Sequence, residues 1–169
     1  MFALTDGKGA VTNNGPNADA RDKHLLIAID HSEDSKRAVL YVAEFLGGFP
    51  GFSITLLSII QVPEEDFFES GEERAAWLKN KSEETDLLLS NYRQILIQSG
   101  FPEDKVLIKS CLGDADSLSG MILSFKCDLN CCTVVVGRQH KSKSEEFLFG
   151  SISNQLIHEA KNCAVWVIE

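Results

Sequence analysis

The residues best suited to chemistry lie between Gly137 and Ser153. Gly137 is followed by two residues and His140, then by nine residues and the pair Gly150-Ser151. Glycines let backbone N–H groups approach an anion closely. A helix starting near Ser151 would direct free N–H groups and its positive dipole end toward the same point. Arg138, Lys141 and Lys143 add local positive charge. The pattern is that of a phosphate cradle, although Gly150-Ser151 taken alone reads more simply as a helix entry with an N-cap.

A second group is Asp30-His31-Ser32, which closes an apolar run. If His31, His140 and Asp30 met in one crevice, a metal or pH-sensitive anion site would be conceivable, since imidazole ligates metals and titrates near neutrality. Two loop histidines without fixed spacing are more simply solvated, so no metal site is assigned. His24 and His158 read as surface or strand-entry residues. The chain has no Gly-x-Ser-x-Gly elbow, no Walker Gly-Lys-Ser/Thr loop and no nucleophile with an evident base. It is not expected to be an enzyme, with slow nucleotide hydrolysis the one activity left open.

The elements that must position these residues follow from periodicity. Residues 1–22 are rich in Gly, Asn, Asp and Ala without apolar periodicity and are expected to be a disordered tail. The domain is expected over 23–169. His24 to Ile29, Ser53 to Ile60, Lys105 to Cys111, Cys132 to Val136 and Cys163 to Ile168 read as strands. Helices are expected after Ser32, from about Glu72 to Gln98, after Asp114 and from Gly150-Ser151. Strands apolar on both faces, alternating with helices, predict an α/β fold. The expected form is a doubly wound five-stranded parallel sheet with helices on both faces. Ligands of such sheets bind at the carboxyl ends of the strands, near the switch point.

Composition excludes other classes. The 169 residues are 44% hydrophobic and 24% charged, which suits a globular domain. The net charge of −9 argues against nucleic acid or an anionic membrane as partner. The acidic run Glu64, Glu65, Asp66, Glu69, Glu72 and Glu73 reads as a solvated loop. No segment has the roughly 18 apolar residues of a membrane helix, and no secretory signal opens the chain, so a cytoplasmic location is expected. Five cysteines are expected to be reduced. Cys127, Cys131 and Cys132 lack metal-ligand spacing, and Cys132 is expected to open a buried strand as a small core hydrophobe.

The loop spacing resembles the nucleotide-binding signature of the universal stress proteins: Gly, two residues, Gly, nine residues, Gly and Ser or Thr. Ala28-Ile29-Asp30-His31-Ser32, Gly113-Asp114 and Cys163-Ala164-Val165-Trp166-Val167 are similar to other family segments. The resemblance covers about Lys23 to Glu169. It implies an adenine nucleotide alpha hydrolase-like fold with strand order 3-2-1-4-5 and a site between strands one and four. In ATP-binding members the strand-end Asp lies against the nucleoside, and the glycine loop and Ser hold the phosphates. The nucleotide-binding set so implied is Asp30, His31, Ser32, Gly137, Arg138, His140, Gly150, Ser151, Ile152 and Ser153. The implied ligand is ATP or AMP, with Mg2+ accompanying it, and the implied assembly is a homodimer through the last strand. That strand is apolar and carries no inward charge or Pro, which invites a partner at a sheet edge.

His140 departs from the signature. If the family's Gly there serves only a left-handed conformation, His adopts it for roughly 1–2 kcal/mol. If it serves close approach, the imidazole occupies the phosphate position. Two functions therefore stand: a nucleotide-responsive stress module, or the same fold with a degenerate pocket acting through dimerisation and an unidentified protein partner.

Overall fold

A computed structural model of the chain describes residues 23–113, 118–138 and 152–169. The strands are Lys23–Ile29 (β1), Phe52–Gln61 (β2), Val106–Gly113 (β3), Thr133–Gly137 (β4) and Ala164–Ile168 (β5). The helices are Glu33–Leu46 (α1), Gly71–Gln98 (α2), Leu118–Asp128 (α3) and Ile152–Glu159 (α4). The strands form one parallel sheet in the order β3-β2-β1-β4-β5. Ile27 on central β1 pairs with Leu56 of β2 and Val135 of β4. The chain therefore reverses its winding between β1 and β4, and this switch point is where a ligand crevice belongs.

Alternation along the strands feeds two apolar layers. Leu25, Ile27 and Ile29 pack with α1 and α2 residues such as Val39, Val42, Leu89 and Leu96. Leu26, Val134 and Val136 face the other way, against Ile122 of α3 and Leu156 of α4. Both faces of the sheet are thus covered, which is why the middles of β1 and β4 are apolar on both sides. The other long helix, α2, runs 28 residues, but its buried residues begin only at Thr85. At 1.5 Å per residue it is about 42 Å long, against about 23 Å for β1. Its amino half therefore adds no residue to the core.

Some expectations change locally. Cys132 is exposed, and the buried member of the doublet is Cys131 at 3%; the strand opens one residue later, at Thr133. The acidic run is not one loop. Glu65 to Phe67 form a 3-10 turn, whereas Glu72 and Glu73 stand in the first turn of α2. There Ser70 caps the helix by accepting from the Glu73 amide at 3.1 Å, and Glu73 accepts from the Glu69 amide at 2.8 Å. Negative charge at a helix amino terminus is favourable, and this is what places those glutamates. His24 does enter β1, but half-buried rather than at the surface. Its Nε2 lies 2.9 Å from the buried Thr55 hydroxyl and its Nδ1 lies 3.2 Å from the Leu129 carbonyl. Burial lowers its pKa below 6.5. The tail at 1–22 and the cap residue Asp114 lie outside the described residues.

Candidate functional site

Asp30 follows the last residue of β1 and is the hub of a set of hydrogen bonds. Its Oδ1 accepts from the Ser32 amide at 3.0 Å, from Ser35 Oγ at 2.6 Å and from the Ser32 hydroxyl. In return Ser35 Oγ accepts from the Asp30 amide at 3.0 Å, and Ser32 Oγ accepts from the Ser35 amide at 3.2 Å. Ser32 is the N-cap of α1, so this buckle joins the end of β1 to the start of the helix. Ser35 is only 4% exposed. Sequence reading missed it, although the Asp-x-Ser-x-x-Ser spacing is that of a strand end followed by a reinforced cap.

Gly137 ends β4 on the neighbouring strand. A Cβ there would come within 2.8 Å of the Ser35 amide nitrogen and closer still to the Asp34 carbonyl. Its missing side chain lets β4 press on the first turn of α1. Backbone φ is ordinary at this position, so close approach and not left-handed geometry explains the glycine. The structure thus brings Asp30, Ser32 and Gly137 together through α1.

Arg138 continues the ladder, its amide donating to the Ile168 carbonyl at 2.8 Å. That amide is engaged by protein, and the guanidinium is paired with the Glu169 carboxylate. Ile152 opens α4 half-buried against the α3/α4 layer, and Ser153 beside it is 5% exposed. His140, Gly150 and Ser151 lie outside the described residues.

His31 points elsewhere. Its Nε2 lies 3.4 Å from Thr85 Oγ1 on α2, a helix that packs over β2 and β3. With Glu84, Leu87, Leu88 and Asn91 it lines a shallow groove of about 280 Å³. Lys81, hydrogen-bonded to Glu84 at 2.9 Å, holds that carboxyl below its ordinary value, and His31 adds a smaller push in the same direction. Among the described residues, no group of three or more His, Cys, Asp or Glu could hold a metal ion. No described helix is long and apolar enough to cross a membrane.

A family model for the universal stress protein family matches residues 22–169. The chain belongs to that family. Solved structures of several universal stress proteins are similar to it as well. The hypothetical protein MJ0577, the subject of a structure-based assignment of biochemical function, is 27% identical, with a TM-score of 0.66 over 88% of this chain and 96% of that one. A universal stress protein in complex with cAMP is 14% identical, with a TM-score of 0.64 over 87% of this chain and 97% of its own. The universal stress protein of Archaeoglobus fulgidus in complex with dAMP is 18% identical, with a TM-score of 0.55 over 87% and 98%. These last two likenesses speak to the fold. No curated protein sequence matches. Family membership agrees with the order β3-β2-β1-β4-β5, in which the resemblance placed the site between β1 and β4.

Proposed function

We propose that this universal stress protein is a nucleotide-responsive binding module, taking ATP or AMP at the carboxyl ends of β1 and β4. The junction of Asp30 with Gly137 carries the reading. The buckle and the close approach hold two strand ends rigidly at the switch point, the preorganised geometry a ligand site needs. That two proteins of the same fold hold cAMP and dAMP supports an adenine nucleotide as the class.

In this reading Asp30 lies beside the nucleoside with Ser32 at the rim, and His31, turned to the α2 groove, takes no part. Gly137, Arg138, His140, Gly150, Ser151, Ile152 and Ser153 border the phosphates. Phosphate would compete with Glu169 for the Arg138 guanidinium. Mg2+ would arrive on the polyphosphate, since the described donors form no metal set of their own. Binding rather than turnover is the proposed role, and a phosphate-release assay tests it separately.

A second reading keeps the fold and gives up the nucleotide, the module working as a homodimer with protein partners. One observation favours it. On the edge strand β5, Trp166 meets Tyr41 and Phe45 of α1 edge-on at 6.4 and 6.1 Å, and Phe45 is 56% exposed. An aromatic cluster beside an unpaired strand edge suits a second copy. A thermal shift separates the readings. Ligand at a hundred times its dissociation constant stabilises the native state by about 2.7 kcal/mol. A shift with ATP or AMP supports the first reading. No shift at millimolar nucleotide, with recovery in His140→Gly, supports the second.

A further inference from the structure

At the end of the sheet away from the crevice, Cys132 and Cys163 stand where β4 and β5 begin. Cys127 lies in the last turn of α3, Cys131 and Cys132 precede β4, and Cys163 precedes β5. Thr133 pairs with Ala164 in the parallel ladder, so one residue earlier Cys132 stands opposite Cys163. The ladder continues through Cys132: its amide donates to the His24 carbonyl, and its carbonyl accepts from the Ala164 amide, both at 2.9 Å. Val134, Val136, Val165 and Val167 all face the α3/α4 layer, and Cys163 packs in the same layer. Cys131 packs into that layer, while Cys132, just before β4, is exposed beside it. Neighbouring strands lie about 4.8 Å apart, within the roughly 4.4–6.8 Å that a disulfide spans between Cα atoms.

We propose that Cys132 and Cys163 form a reversible thiol pair that is oxidised to a disulfide by peroxide. Cys132 is exposed and open to the oxidant; its Sγ rests 3.4 Å from the His24 carbonyl and leaves that contact when the bond to Cys163 forms. Lys126, 8% exposed, brings its ammonium to the Lys161 carbonyl at 3.0 Å, two residues from Cys163. It pulls the neighbouring Cys131 thiol down, but burial outweighs it. Burial pushes the neighbouring Cys131 thiol up to about 11, which keeps it protonated and a poor nucleophile.

The chemistry balances with hydrogen peroxide as oxidant. The Cys132 thiolate attacks one peroxide oxygen, the O–O bond breaks, and the hydroxide that leaves takes up the proton released when the thiol ionised, giving sulfenic acid and water. Cys163 sulfur then attacks the Cys132 sulfur, the S–S bond forms, and the departing hydroxide takes the Cys163 proton as a second water. Sulfur loses two electrons overall and the peroxide gains them.

The test is peptide mapping of the full chain after stoichiometric hydrogen peroxide, with iodoacetamide blocking free thiols. Two of the five cysteines are expected to resist alkylation until dithiothreitol is added, in a peptide joining the 131–132 segment to Cys163. The link should persist in Cys131→Ser and vanish in Cys132→Ser, a change at an exposed position. In Cys163→Ser, and in Cys163→Ala as a check on folding, dimedone should trap Cys132 as sulfenic acid. A link that needs Cys131, a link between two chains, or five thiols still alkylatable after peroxide would overturn the proposal.

Discussion

A Cβ on Gly137 would lie 2.8 Å from the Ser35 amide nitrogen, so the end of β4 and the first turn of α1 are in direct backbone contact. The Ser35 side chain belongs to the Asp30 buckle, and the two halves of the crevice are therefore one mechanical unit.

Gly137→Ala tests this contact. The atoms it meets belong to backbone held in a helix, which cannot swing away, so overpacking of about 1–3 kcal/mol is expected. Urea unfolding should show a lower midpoint at unchanged slope. An unchanged midpoint would mean that the strand end and α1 are not pressed together in solution.

Asp30→Ala separates a structural carboxylate from a purely ligand-binding one. Removing it leaves the Ser32 and Ser35 donors without their acceptor, a loss of about 1–3 kcal/mol. The loss should appear with no nucleotide present. If apo stability is unaffected, the buckle contributes nothing and Asp30 serves ligand alone.

His24 predicts a pH dependence. Its folded-state pKa is lowered, so the unfolded chain binds the proton more readily. This contribution is complete above the ordinary value of 6.5 and is lost as pH falls toward the folded value. Urea midpoints taken across that window should decline for the wild type and decline less for His24→Gln. Parallel curves for the two proteins would remove His24 as the cause.

Phe45→Lys probes the β5 edge. The side chain is more than half exposed, so fold stability should change little, while a cation inside an aromatic interface would oppose pairing. Sedimentation should report a dimer for the wild type and a monomer for the variant. A wild-type mass that stays monomeric at every concentration would retire the homodimer.

The layered sheet was legible because β1 and β4 are apolar on both faces and helices intervene; the strand order came from the family resemblance. Asp30 and Gly137 were legible as residues but not as a pair. What Gly137 touches is the Asp34 carbonyl, a backbone atom from a distant segment that no side-chain pattern announces. The start of α2 is written in Ser70-x-x-Glu73, a capping pattern masked by the run of like charge around it. The Cys131-Cys132 doublet shows a different limit. Alternation requires one to face inward, and a one-residue shift in the strand boundary decides which.

Amide chemical shifts of nitrogen-15-labelled protein, recorded during titration with ATP and Mg2+, bear most directly on the nucleotide proposal. Saturable changes should concentrate at Asp30 to Ser35 and at Gly137 and Arg138, with the β3 edge silent. No change at millimolar nucleotide, or changes confined to surfaces away from the ends of β1 and β4, would contradict it.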